Sequence, residues 1–72
     1  MECELTITLN GESYTFSPEN GSTVRDLIEL LQLGPQAVLV ELNGEALYAR
    51  EFPEKKIGKG DRIEIIRMVA GG

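Results

Sequence analysis

Only one stretch of this chain carries a helical period. Val24, Leu27, Ile28 and Leu31 stand at i, i+3, i+4 and i+7, the spacing of a single buried helix face. Leu30 lies beside that stripe, while Arg25, Glu29 and Gln32 face water. The flanking segments alternate in twos or show no clean period. One helix can cover one face of one sheet, so the chain is confined to a two-layer α+β domain. With 72 residues there is room for one small core, worth about 3–5 kcal/mol net.

The helix has written ends. Thr23 is a good N-cap, and Asp26 three residues on can reach back as in a capping box. At the other end Gly34 offers a left-handed residue and Pro35 bars continuation. These signals predict a helix over Val24 to Leu33.

The strands announce themselves by alternation. Cys3, Leu5, Ile7 and Leu9 share one face of an extended segment. Asn10-Gly11 follows, the dipeptide best suited to a type I′ hairpin turn. Tyr14 and Phe16 then mark the returning strand. A third strand runs from Ala37 to Leu42 and is closed by Asn43-Gly44, with Ala46-Leu47-Tyr48 as a short fourth. Residues Ala49 to Lys59 show no period, and Phe52 and Ile57 are expected to anchor them to the core. Lys59-Gly60-Asp61 turns into the last strand, Arg62 to Val69. The order is ββαββ, a mixed four- to five-stranded sheet whose first and last strands pair as parallel neighbours in the centre. Residues 1–69 form the domain, and Ala70-Gly71-Gly72 a flexible tail.

Alternation also sorts the faces. Ile63 and Ile65 point to the helix, as do Val38, Val40 and Leu42. Ile66 and Met68 then point to the open face of the sheet, and Leu39 joins them. Such an apolar cluster marks either a partner surface or edge packing.

Charge and cysteine content remove whole classes of function. Twelve Asp and Glu against seven Lys and Arg give a net charge of −5, a poor match to phosphate backbones or anionic lipid. A partner with a basic docking surface is expected instead. A single cysteine excludes an internal disulfide. No histidine is available to titrate near neutrality, and no Cys/His cluster is available for a metal. No apolar run reaches the roughly 20 residues of a membrane span, and no basic-then-apolar leader is expected from the first residues. The expected setting is soluble, reducing and cytoplasmic.

Few residues carry chemistry. Cys3 sits in the alternation of Leu5, Ile7 and Leu9 and between Glu2 and Glu4, which suits a core thiol rather than a reactive one. Glu41, Glu45, Glu51 and Glu54 do not recur at a spacing that forces two carboxylates together, as acid–base catalysis requires. Lys55-Lys56-Ile57-Gly58-Lys59-Gly60 lacks both aromatic interleaving and a phosphate-loop pattern. The Gly71-Gly72 end is different. Without Cβ atoms it can thread a narrow slot, and its terminal carboxylate is unhindered, the one group another enzyme could activate.

Taken together, the ββαββ order, Val40-Glu41-Leu42-Asn43-Gly44-Glu45, Arg50-Glu51-Phe52, Gly60-Asp61-Arg62-Ile63-Glu64-Ile65 and the Val69-Ala70-Gly71-Gly72 end resemble the ubiquitin-like β-grasp sulfur carriers. Within them the chain looks most like the thiamine-biosynthesis branch, the ThiS family, related to the small subunit of molybdopterin synthase. The resemblance covers nearly the whole chain. It implies a β-grasp fold and a carrier rather than an enzyme.

In that family an E1-like adenylyltransferase uses ATP and magnesium to activate the terminal glycine, so the carrier itself needs no cofactor. A sulfur donor system such as cysteine desulfurase then supplies the sulfur of a thiocarboxylate. Thiazole synthase receives it. Gly72 would be the modified residue, Ala70 and Gly71 its slender approach, and Leu39, Ile66 and Met68 the docking surface. No nucleic acid or membrane partner is implied. Alternatives on the same residues are sulfur delivery to molybdopterin or to tRNA thiolation, a protein modifier joined to lysines through Gly72, and a binding module resembling TGS domains.

Overall fold

A computed structural model describes residues 4–18, 22–34 and 38–67. The expectations for Cys3, Met68, Val69, Ala70, Gly71 and Gly72 lie outside these residues. Five strands and one helix follow in the order β1 (Leu5–Leu9), β2 (Glu12–Phe16), α1 (Val24–Leu30), β3 (Val38–Leu42), β4 (Glu45–Leu47) and β5 (Arg62–Arg67), with a 3₁₀ turn at Ala49–Glu51. The short fourth strand forms, so the order is ββαβββ in full.

Both Asn-Gly turns take the conformation that their composition favours. Asn10 and Gly11 have φ of 51° and 84°, and Asn43 and Gly44 have 53° and 87°. Two positive φ values in succession match the right-handed twist of the flanking strands. They set the hairpin registers Ile7↔Tyr14 and Val40↔Leu47. The sheet order is β2-β1-β5-β3-β4. The last strand is thus central, parallel to β1 and antiparallel to β3.

The helix lies across one sheet face. Val24, Leu27 and Ile28 pack there with Ile7, Phe16, Val38, Val40, Leu47, Ile63 and Ile65. Leu5, Leu9, Tyr14 and Leu42 border this core. Phe52 and Ile57 are buried in it as expected. At the helix start the capping box forms: the Asp26 N–H donates to Thr23 Oγ1 at 3.2 Å, and the Thr23 N–H donates to Asp26 Oδ2 at 3.0 Å.

The helix ends earlier than its sequence signals predict. Leu31 is the C-cap, and the left-handed residue is Gln32 with φ 60°, not Gly34. The Gln32 N–H donates to Glu29 O and the Leu33 N–H to Ile28 O, each at 3.0 Å, which is the Schellman pair. Closing one turn sooner turns Leu33 back onto the core. Partial burial of that leucine and the two turn hydrogen bonds oppose the cost of placing a residue with a Cβ in the left-handed region.

Candidate functional site

The face of the sheet away from α1 is built by simple alternation. Ile63 and Ile65 are buried, so Arg62, Glu64 and Ile66 point the other way. On β3, burial of Val38 and Val40 turns Leu39 and Glu41 outward. The antiparallel register makes Leu39 and Ile66 direct partners, and they remain 53% and 56% exposed. The two described residues of the expected docking surface therefore meet on the open face. Most of the remaining face is polar, and Thr6 and Thr15 hydroxyls hydrogen-bond across β1 and β2 at 2.8 Å.

The same register brings together two residues that spacing alone leaves apart. Glu41 and Glu64 are cross-strand partners, immediately next to the Leu39–Ile66 pair. Glu41, Glu45, Glu51 and Glu54 stay apart as their spacing implies, but that spacing left Glu64 out of account, and its 23 positions of separation from Glu41 vanish once β3 and β5 pair. The signal was present in retrospect: once Leu39 is set opposite Ile66, Glu41 must oppose Glu64.

The central strand is held from both flanks by the two turn asparagines. Beyond Leu9, where β1 ends, Asn10 Oδ1 accepts the Ile65 N–H at 2.8 Å. On the other flank Asn43 Oδ1 accepts the Arg62 N–H at 2.8 Å, while its Nδ2 donates to Asp61 Oδ1 at 3.2 Å. Asp61 Oδ2 in turn accepts the Gly58 N–H at 2.7 Å. These bonds hold the entry and the first half of β5 in the sheet.

Other charged groups have structural occupations. Glu51 Oε1 accepts the Tyr48 N–H at 2.8 Å and caps the 3₁₀ turn. Arg50 lies 4.8 Å from the centre of the Tyr48 ring. Lys55 lends its carbonyl to the Val24 N–H at 2.8 Å. The Asp26 carboxyl is held below its ordinary value by hydrogen bonds from the Thr23 backbone and hydroxyl. Among the described residues no three His, Cys, Asp or Glu gather as metal ligands, and no helix is long and apolar enough to cross a membrane.

Comparison with known proteins agrees with this architecture. The sequence model of the ThiS family matches residues 7–72. The sulfur carrier protein ThiS of Thermus thermophilus is 32% identical over 66 residues, covering 92% of this chain and 98% of that protein. The crystal structure of the thiamine biosynthesis protein ThiS from Geobacter metallireducens superposes with a TM-score of 0.78 at 30% identity. The match covers 94% of this chain and all of that one. A computationally designed protein based on human erythrocytic ubiquitin is similar at a TM-score of 0.53 and 26% identity, over 100% and 98% of the two chains.

Proposed function

The chain belongs to the ThiS family of sulfur carriers, and from this premise we propose that it carries sulfur on Gly72 for thiazole formation in thiamine biosynthesis. The observation that carries this reading is that the family match extends through Gly71-Gly72. A folded body with an unhindered acyl end suits a cosubstrate. The body supplies recognition area that free sulfide lacks, and the two glycines admit the carboxylate to a narrow active site.

The chemistry belongs to the partners. An adenylyltransferase binds MgATP, and a Gly72 carboxylate oxygen attacks the α-phosphorus, releasing pyrophosphate. The outer sulfur of a persulfide, supplied by a donor such as a desulfurase system, attacks the acyl carbon, and AMP leaves with the oxygen. A second thiol then cleaves the resulting acyl disulfide, leaving the thiocarboxylate and a disulfide on the donor side. The net change is one oxygen exchanged for one sulfur, and thiazole synthase consumes the thiocarboxylate in the cytoplasm. In this reading the chain contributes a docking face of Leu39, Ile66 and Met68 and a slender approach of Ala70 and Gly71. It also sets the reach: Gly72 stands five residues past Arg67, at most about 18 Å when extended.

Intact-protein mass spectrometry tests the proposal after incubation with an adenylating enzyme, ATP and a sulfur source. The expected result is an oxygen-to-sulfur shift localised to Gly72. A chain extended past Gly72 by an uncleaved tag should not load, although it should unfold within about 0.5 kcal/mol of the unextended protein. Gly71→Val should load slowly, because a β-branched side chain must enter the slot. Normal thiocarboxylate formation on the tagged chain would overturn the proposal, and lysine-linked conjugates in place of thiocarboxylate would make the chain a modifier.

A further inference from the structure

Glu41 and Glu64 face each other on the open sheet face, and among the described residues neither makes an ion pair. Like charges directly opposite one another in a sheet are destabilising. Among the described residues the one ion pair is Arg25–Glu29 on the helix, so neither carboxylate has a cation within 4 Å. Arg62 points to the same face from β5 yet makes no ion pair with them. The neighbour of Glu41 on β4 is Ala46, whose methyl leaves the carboxylate approachable. Along the strands the adjoining cross-strand pair is the exposed Leu39–Ile66.

We propose that this face receives a basic side chain of the activating enzyme between Glu41 and Glu64, seated beside an apolar contact on Leu39 and Ile66. The inference rests on the carrier reading above and names the chemistry of its partner. Opposed side chains in a sheet stand with Cβ atoms about 4.5–5.5 Å apart, which lets two carboxylates share one guanidinium fork. Neutralising both at once relieves a repulsion that the free protein bears. A second copy of this chain is a poor occupant, since docking face to face would gather four carboxylates in a protein of net charge −5.

The contact would also set the position of the tail. Successive residues on one side of a strand are about 6.6–6.8 Å apart. The acidic pair and the apolar pair are one such step apart, and they offer the partner two chemically different contacts. Slipping the dock by a step would set carboxylates against an apolar surface. The pair therefore fixes how far Gly72 projects into the enzyme.

The test is the double variant Glu41→Gln/Glu64→Gln, measured for affinity to the activating enzyme at low and moderate salt, with a thermal melt alongside. Affinity should fall about ten-fold or more. Its salt dependence should flatten, and the melting temperature should hold or rise because the repulsion is gone. Glu41→Lys/Glu64→Lys should bind more weakly still. Unchanged affinity and salt dependence, with normal adenylation of the unaltered chain, would overturn this inference alone. Failure of the unaltered chain to be adenylated would overturn the carrier reading and this inference together. Self-association of the unaltered chain that the Gln variant abolishes would assign the face to a second copy and overturn the proposal.

Discussion

The side chain of Asn10 accepts a hydrogen bond from the backbone N–H of Ile65 at 2.8 Å, across 55 positions of sequence. A turn residue thus stands in for the strand residue that β1 lacks there. Asn10→Gly keeps the φ of 51° accessible but removes the acceptor, and should cost about 1–2 kcal/mol. Asn10→Ala adds left-handed strain and should cost about 1 kcal/mol more. Urea unfolding of the two variants separates the bond from the strain. Equal losses would mean that the hydrogen bond alone matters.

Gln32 should be a stabilising target. It carries the left-handed φ at the end of α1 while exposed to solvent, so Gln32→Gly relieves backbone strain and loses no core contact. A gain of about 0.5–1 kcal/mol is expected after the extra entropy of glycine in the unfolded chain. In a domain of this size that raises the melting temperature by several degrees. A lower melting temperature would show that the Schellman turn depends on the glutamine side chain.

Acid should weaken the start of the helix. Hydrogen bonds from the Thr23 backbone and hydroxyl lower the Asp26 pKa below 3.8. Its contribution is therefore complete above that value and is lost as pH falls through the lower folded value. Thr23→Ala removes the hydroxyl from the capping box and should cost about 1 kcal/mol near neutrality. It should also flatten part of the pH dependence of stability below about pH 4. Parallel acid limbs in the two proteins would assign the acid sensitivity elsewhere.

Docking and folding should part company at Ile66. The residue is 56% exposed, so Ile66→Asp should cost at most about 1 kcal/mol of stability. Binding to the adenylating enzyme should weaken about ten-fold or more, because the same apolar surface would be desolvated there. A large stability loss matching the binding loss would show that Ile66 is an edge-packing residue after all.

Much of this architecture is readable in short-range pattern. Alternation over Leu5, Ile7 and Leu9, the two Asn-Gly turns and the Thr23–Asp26 box act over a few residues, where local sterics and hydrogen bonding dominate. They sufficed for the hairpins, the helix start and the orientation of Leu39 and Ile66. The helix end was misread for a physical reason. Gly34 is the better left-handed residue, but Gln32 takes that conformation, and Leu33 after it packs against the core.

What the sequence determined by itself was therefore the set of elements, the face each one buries and the Gly71-Gly72 end matched by the ThiS family. Tertiary structure decided whatever depends on segments distant in the chain. The aperiodic stretch after β4 owes its path to α1: the Val24 and Arg25 N–H groups donate to Lys55 O at 2.8 Å and Phe52 O at 3.1 Å, and the Ile57 N–H donates to Ser22 O at 2.7 Å. No local period encodes that path, because its hydrogen-bond partners are two unsatisfied amides of the first helical turn and the Ser22 carbonyl before it, some 30 positions earlier. The Glu41–Glu64 opposition arises likewise, from the pairing of two strands that only the closed sheet brings side by side.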